Sequence, residues 1–101
     1  MKYRKKPVTI EAFQMTRERR TSYADWPEWL HRAWNCDPGS PGAVKPEDFP
    51  ESDGTDRLTI TTLVGELTLQ WDDWIICGIR GELYPCKPDI FQETYEEVED
   101  S

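Results

Sequence analysis

Six side chains of this sequence have the chemistry to hold a small anion that carries a planar ring. Guanidinium and ammonium groups bind phosphates, and aromatic rings stack on a base or face a cation. Arg80 and Lys87 flank the segment 81–84, so a turn there would bring the two cations near each other. Loops held by a sheet are frequent places for binding residues. The predicted ligand-binding residues are Arg80, Lys87, Tyr84, Phe91, Arg4 and Arg57.

Each of these residues also has a purely structural interpretation. Lys87 can pair with Asp89 or Glu82, and Tyr84 can belong to the core. The five tryptophans leave a similar choice, because a small domain needs large side chains for its core and tryptophan is also common at interfaces. The surplus of tryptophan and the edge strands together predict a homo-oligomer, most simply a dimer.

The sequence carries no signature of an enzyme or of a metal site. There is no Gly-rich phosphate loop, no Gly-x-Ser-x-Gly motif and no pair of histidines. His31 is the single histidine, and its spacing to Cys36, Cys77 and Cys86 matches no usual zinc pattern. A nucleophilic cysteine with His31 as its base stays open, since sequence distance does not report spatial distance. We therefore expect a protein without enzymatic activity, cofactor, bound metal or disulfide.

Charge and composition exclude several classes of partner. The formal net charge is -8, which argues against non-specific binding to nucleic acid or to an anionic membrane. Residues 1–20 nevertheless hold seven basic and two acidic side chains, which predicts a bipolar surface whose two parts attract each other. The apolar run 74–79 is too short to span a membrane, and no secretory signal follows the basic start. An odd number of cysteines favours reduced thiols in a cytosol.

Alternating residues predict an antiparallel sheet with strands drawn from residues 5–13, 57–71 and 73–98. Segments 57–63 and 66–71 form a hairpin around Gly65, and segment 74–79 is apolar enough to lie centrally. Pro85 and Pro88 are expected to end regular pairing, 89–93 to make one helical turn and 94–98 to form a last strand. Residues 99–101 are expected to be a solvated tail.

One main helix is predicted near residues 25–34. Asp25 is the expected N-cap, and Pro27 suits the first helical turn. Trp26, Trp29, Leu30 and Ala33 would share one apolar stripe, with Trp29 and Leu30 buried against the sheet. Residues 16–22 are a polar, arginine-rich stretch, and 36–56 form a long Pro-, Gly- and acid-rich loop. These elements predict a single α+β domain over residues 1–101, mostly antiparallel sheet with one amphipathic helix packed on it.

Two segments carry a family resemblance. Residues 1–12 and 71–96, which include Gly-Glu-Leu-Tyr-Pro-Cys-Lys-Pro-Asp-Ile-Phe, resemble small bacteriophage and prophage proteins often labelled PGDYG-domain proteins. The Gly-Asp-Tyr of that label falls on Asp72-Asp73-Trp74, so aspartate replaces the glycine and only Asp73 is kept. The resemblance implies a phage accessory protein that acts in the bacterial host cytoplasm.

Two classes of function follow from this context. In the first, the protein is an anti-defence sponge that sequesters a small anionic, nucleotide-derived immune signal. In the second, its acidic surface inhibits a host defence protein, either by direct binding or as a DNA mimic. A structural or regulatory phage protein without a pocket is the third alternative.

Overall fold

The chain alternates short strands with three short helices. The computed structural model describes residues 1–4, 7–23 and 25–98. The elements follow in chain order: β1 Glu11–Gln14, α1 Arg17–Ser22, α2 Glu28–Asn35, β2 Val44–Pro46, β3 Leu58–Thr62, β4 Gly65–Leu69, β5 Trp74–Cys77, β6 Leu83–Cys86 and α3 Pro88–Thr94. This composition confirms the α+β, mostly antiparallel fold.

The strands form two three-stranded antiparallel sheets where the sequence predicted one. The first has the order β1-β5-β6, with Ile75 opposite both Phe13 and Pro85. The second has the order β2-β3-β4, with Ile60 opposite both Val44 and Leu67. The central position of β5 and the 58–69 hairpin were predicted correctly. The break between the sheets lies at residues 70–73, where the backbone turns instead of continuing the pairing.

One apolar core joins the two sheets and α2. Strands of both sheets contribute to it, and Leu30 and Ala33 of α2 complete it. Leu30 is fully buried, as predicted, whereas Trp29 is only half-buried and packs against the edge of the core. The core residues from the two sheets are Phe13, Ile75, Leu83, Val44, Leu58, Ile60 and Leu69.

Helix α2 begins later than predicted. Pro27, not Asp25, is the N-cap residue, and no side chain caps the helix. Proline lacks an N–H and has a fixed φ, so it can begin a helix without leaving another donor unpaired. Trp26 therefore lies before the helix. It is buried, and its indole N–H donates to the carbonyl of Arg19 at 2.7 Å.

The arginine-rich stretch is a helix that the sequence did not predict. Thr16 is the N-cap of α1, and its hydroxyl accepts from the N–H of Arg19 at 3.1 Å. The helix has no apolar stripe, which is why hydrophobic periodicity did not indicate it. Tyr23 ends it with a left-handed backbone, φ 58°.

Several predicted boundaries were wrong for identifiable reasons. The long loop contains β2, because Val44 and Pro46 are buried beside β3. The first strand starts at Glu11 rather than at residue 5; residues 5 and 6 lie outside the described residues. Pro85 does not end pairing, since β6 is an edge strand on which a missing N–H is tolerated. Residues 95–98 form no strand, and the tail 99–101 lies outside the described residues.

Candidate functional site

Arg80 and Lys87, which were predicted to bind one ligand together, lie at opposite ends of β6. Arg80 lies in the turn between β5 and β6, and Lys87 follows the far end of β6. Cys77 pairs with Leu83 near the turn, and Trp74 pairs with Cys86 at the other end. The whole length of β6 therefore lies between Arg80 and Lys87.

Lys87 is paired with an acid that the sequence analysis did not consider for it. Its ammonium group lies 3.2 Å from Oδ2 of Asp73, whose side chain is 4% exposed. The same oxygen accepts from the N–H of Gln70 at 3.0 Å. The predicted partners Asp89 and Glu82 are not its ion-pair partners among the described residues. Lys87 thus compensates a buried carboxylate.

Tyr84 and Phe91 belong to an aromatic layer between the first sheet and α3. Phe91 stacks on Trp74 with ring centroids 4.0 Å apart and on Tyr95 with centroids 5.1 Å apart. Burial and a hydrogen bond to Tyr95 raise the pKa of Tyr84 to about 12. The ring of Phe91 is therefore engaged in stacking within the protein.

The two remaining predicted residues differ in their surroundings. Arg57 donates to both carboxylate oxygens of Glu47, at 3.1 and 3.2 Å. Arg4 is exposed. Of the four predicted cations, Arg57 and Lys87 are thus in ion pairs with acids of the same chain.

A site that the sequence analysis missed surrounds Arg20. This side chain is only 6% exposed, and its guanidinium lies 4.6 Å from the centroid of the Trp34 ring. Its Nη1 donates to the hydroxyl of Tyr23 at 3.0 Å. Its Nε is the one buried side-chain nitrogen or oxygen without a hydrogen-bond partner in the described part of the chain. No described carboxylate forms an ion pair with it.

Trp34 and Tyr23, which contact this guanidinium, belong to a larger group of neighbouring rings. We use the name Arg20 cluster for Arg20, Tyr23, Trp26, His31 and Trp34. Within it, Trp26 lies 4.8 Å from Tyr23, 5.3 Å from Trp34 and 5.5 Å from His31 between ring centroids. Tyr23 is the C-cap residue of α1, Trp26 precedes α2, and His31 and Trp34 lie on α2. Tyr23 itself is 40% exposed and forms the outer side of the cluster.

One cation and one anion lie near the Arg20 cluster: Lys45 contacts the backbone of Trp34, and Asp56 interacts with the Arg20 charge at longer range. Lys45 donates from Nζ to the carbonyl of Trp34 and lies 5.2 Å from the Phe49 ring centroid. Burial acts to raise the pKa of Asp56. Hydrogen bonds from Ser52 and from the backbone at Asp48, with a smaller effect of the Arg20 charge, outweigh it and lower that pKa. Asp56 is therefore ionised, and its oxygens are used by its own loop.

A groove lies between α2 and the β5–β6 turn. This groove of about 270 Å³ is lined by Trp29, Arg32 and Gly81 with the thiols of Cys36 and Cys77. Arg32 is held by Glu28 at 3.0 Å. Burial and the charges of Glu11 and Glu82 raise the pKa of Cys77, so its thiolate is disfavoured.

The cysteines are free thiols, and in the described ranges no three His, Cys, Asp or Glu side chains are grouped to hold a metal ion. The groove therefore offers no cation for an anionic ligand that is not already paired.

The comparisons with known proteins add no relative. No protein-family model, no curated protein and no solved structure matches this chain. Over residues 1–4, 7–23 and 25–98, no helix is both long and apolar enough to cross a membrane.

The signal for the Arg20 cluster was present in the sequence but weak. Thr16 is a good N-cap residue, and a helix from 17 onward places Arg20 and Tyr23 on one side, three positions apart. Nothing in the sequence indicates that Trp34, fourteen positions after Arg20, would lie against the guanidinium. That contact depends on the turn between the two helices.

Proposed function

We propose that this protein is a non-catalytic binding protein that sequesters a compact anionic, nucleotide-derived ligand through the Arg20 cluster. One observation carries the proposal: the buried guanidinium of Arg20 has an unbonded Nε and no carboxylate partner among the described residues. With the family resemblance as its second support, the setting we propose is phage counter-defence in the host cytoplasm.

The energetics of a buried charge favour an anion at this position. Removing a guanidinium from water is costly unless a counter-charge or a full set of hydrogen bonds replaces the lost hydration. The Trp34 ring and the Tyr23 hydroxyl replace only part of it. A phosphate group would supply the missing charge and accept a paired hydrogen bond from the planar guanidinium. The surrounding rings would contact the planar part of the ligand.

The competing function is inhibition of a host protein through the acidic surface. Exposed acids follow α3 at Glu96 and Glu97 and lie on it at Asp89 and Glu93. They are separated by the aromatic layer and by uncharged residues, so no long array of phosphate-like spacing results. No specific contact favours this function over ligand binding.

Calorimetry with single-residue variants tests the proposal. The titrants are cyclic di- and trinucleotides and cyclic ADP-ribose variants, with pyrophosphate as a generic anion. We expect Arg20→Gln to weaken binding roughly ten- to hundred-fold, the equivalent of about 1.5–3 kcal/mol for a lost charged hydrogen bond. Arg19→Gln is the matched control, since Arg19 lies in the same helix and over the ring of Phe13 at 4.7 Å.

The variants at the originally predicted residues decide between sites. Arg80→Ala and Lys87→Ala should bind like the wild type if the Arg20 cluster is the site. Arg20→Lys, which retains the charge but loses the planar fork, gives a second test if Arg20→Gln does not fold. Binding that weakens with Arg80→Ala but not with either Arg20 variant would refute the assignment. No binding of any titrant by a folded wild type would favour the protein-inhibitor function.

A further inference from the structure

Strand β4 is an open edge of the second sheet. It pairs with β3 on one side, and the sheet order β2-β3-β4 leaves its other side without a strand in the described part of the chain. Four of its five residues, 65–68, are exposed. This edge is independent of the Arg20 cluster, so the following inference does not rest on the proposed function.

The direction of the backbone groups on β4 can be derived from its neighbour. Thr61 donates its N–H to the carbonyl of Ala43 at 2.9 Å, and its own carbonyl accepts from Gly42 at 2.8 Å. The backbone groups of Thr61 therefore face away from β4, and its partner Glu66 is in a non-hydrogen-bonded pair with it. The N–H and C=O of Glu66, and by alternation those of Thr68, consequently point to the open edge.

The edge strands β2 and β6 each contain a proline, which prevents pairing with a further strand. Pro46 lies in the edge strand β2, and Pro85 lies in the edge strand β6. Proline has no N–H to donate, and natural sheets use it to protect their edges. Strand β4 has neither proline nor lysine in its sequence Gly-Glu-Leu-Thr-Leu. It thus lacks the residue that protects β2 and β6.

Apolar side chains accompany this edge. Leu67, in the middle of β4, is 38% exposed, and Leu63 and Val64 at the tip of the β3–β4 hairpin are 90% and 91% exposed. Leu67 is opposite the buried Ile60, so it lies on the face of the sheet that is directed toward the core. A strand added at this edge would extend the apolar face next to Leu67.

We propose that β4 pairs antiparallel with β4 of a second copy of this chain, about a two-fold axis through Leu67. In this register Glu66 lies opposite Thr68 of the second copy, and the outward N–H and C=O groups of both residues are matched in two equivalent pairs. The two Leu67 side chains meet at the axis, and no two like charges are directly opposite. The same register places the hairpin tip of one copy beside residues 70–71 of the other. The surface is self-complementary, which identifies the partner as a second copy.

Light scattering coupled to size exclusion tests the dimer. The wild type at micromolar concentration should have twice the chain mass of 11.9 kDa. Leu67→Lys places two ammonium groups opposite each other at the axis, so this variant should be monomeric, and Leu67→Glu should be monomeric for the same reason. Ile79→Lys is the matched control: Ile79 is also exposed, at 69%, but it lies in the other hairpin turn, so this variant should remain dimeric.

Mixing the two charged variants shows whether each is monomeric because the edges repel each other or because the chain is misfolded. Equal amounts of Leu67→Lys and Leu67→Glu should restore the dimer mass, because the axis then joins opposite charges. A monomeric wild type would overturn the proposal, and so would a dimer that persists in Leu67→Lys. A mixture that stays monomeric would overturn the two-fold register at Leu67. Each of these results is independent of whether a ligand binds at Arg20.

Discussion

Asp72 has a left-handed backbone conformation that glycine would adopt at a lower steric cost. Its φ is 73°, in the left-handed region that favours glycine. The N–H of Asp72 donates to the carbonyl of Met15 at 2.8 Å, and its own carbonyl accepts from the Gln14 side chain at 3.0 Å. These bonds tie the end of β1 to the start of β5.

Replacing Asp72 by glycine should stabilise the fold. Asp72→Gly removes the steric cost of a left-handed residue, and we expect the free energy of unfolding to rise by about 0.5–1 kcal/mol after the entropic cost of glycine is included. Urea denaturation measures this change. Asp72→Val should act in the opposite direction, because a β-branched side chain is poorly tolerated at positive φ. A destabilised Asp72→Gly would show that the carboxylate itself contributes.

Tyr84 predicts a pH dependence at the alkaline end. Its pKa is raised by burial and by the hydrogen bond to Tyr95, from the ordinary 10.0 to about 12. The folded protein thus holds this proton more tightly than the unfolded chain does. The associated stability is fully present below pH 10 and is lost as the pH rises towards 12.

Absorbance titration of the phenolate should therefore show a step near pH 12 that Tyr84→Phe removes. Tyr3→Phe, at a tyrosine that is 89% exposed, should leave that step in place. A step that survives in Tyr84→Phe would assign the raised pKa to another tyrosine.

At the scale of elements, local patterns predicted strands better than they predicted helix ends. The alternation of Thr and Leu in 58–69 identified the hairpin, since period two is a direct consequence of strand geometry. The start of α2 was misplaced because both Asp25 and Pro27 suit a helix beginning, and only packing decides between them. Helix α1 was missed because its stability comes from the Thr16 cap and from ring contacts formed in the folded chain. The site built on it was missed for the same reason.

Helix α3 is held mainly by one aromatic residue. None of its residues is fully buried, and Phe91 provides the stack on Trp74 and Tyr95. We expect Phe91→Ala to lower stability by about 2 kcal/mol, less than the roughly 3–5 kcal/mol of a fully buried phenylalanine. Hydrogen exchange should show faster exchange across 88–94. Ile90→Ala in the same helix, at a side chain 52% exposed, should change little. Equal effects of the two variants would argue against the stack as the anchor.

For the whole molecule, the shared core predicts that the two sheets unfold together. Core residues of both sheets and of α2 belong to one cluster, so loss of one sheet would expose the apolar face of the other. Ile60→Ala, at a fully buried position in β3, should lower stability by about 2–5 kcal/mol. Native-state hydrogen exchange should then show the same decrease for amides of β3 and of β5. A decrease confined to β3 would divide the molecule into two units and contradict the single domain predicted from its length.

Between the basic beginning and the acidic remainder, the described residues form no ion pair, although the Arg20 charge helps to lower the pKa of Asp56. The ion pairs among the described residues join Arg32 to Glu28, Arg57 to Glu47 and Lys87 to Asp73, and none includes a residue of the first twenty. Three arginines of that segment lie over aromatic rings instead: Arg17 over Trp71, Arg19 over Phe13 and Arg20 over Trp34. Charge counts alone do not reveal this, because cation–π contacts involve uncharged partners.

Pro46 and Pro85 limit how many copies of the chain can join edge to edge. A chain with two sheets has up to four strand edges, and two adhesive edges on one molecule are enough to build an open-ended fibre. The prolines remove β2 and β6 as adhesive edges, and β1 has only four residues with no exposed large apolar side chain. Among the described strands, β4 is the edge that combines the absence of proline with an exposed apolar side chain, Leu67. A molecule with one such edge stops assembling at two copies. Substitutions that replace either proline with a residue of high β-propensity are therefore expected to convert the dimer into a polymer.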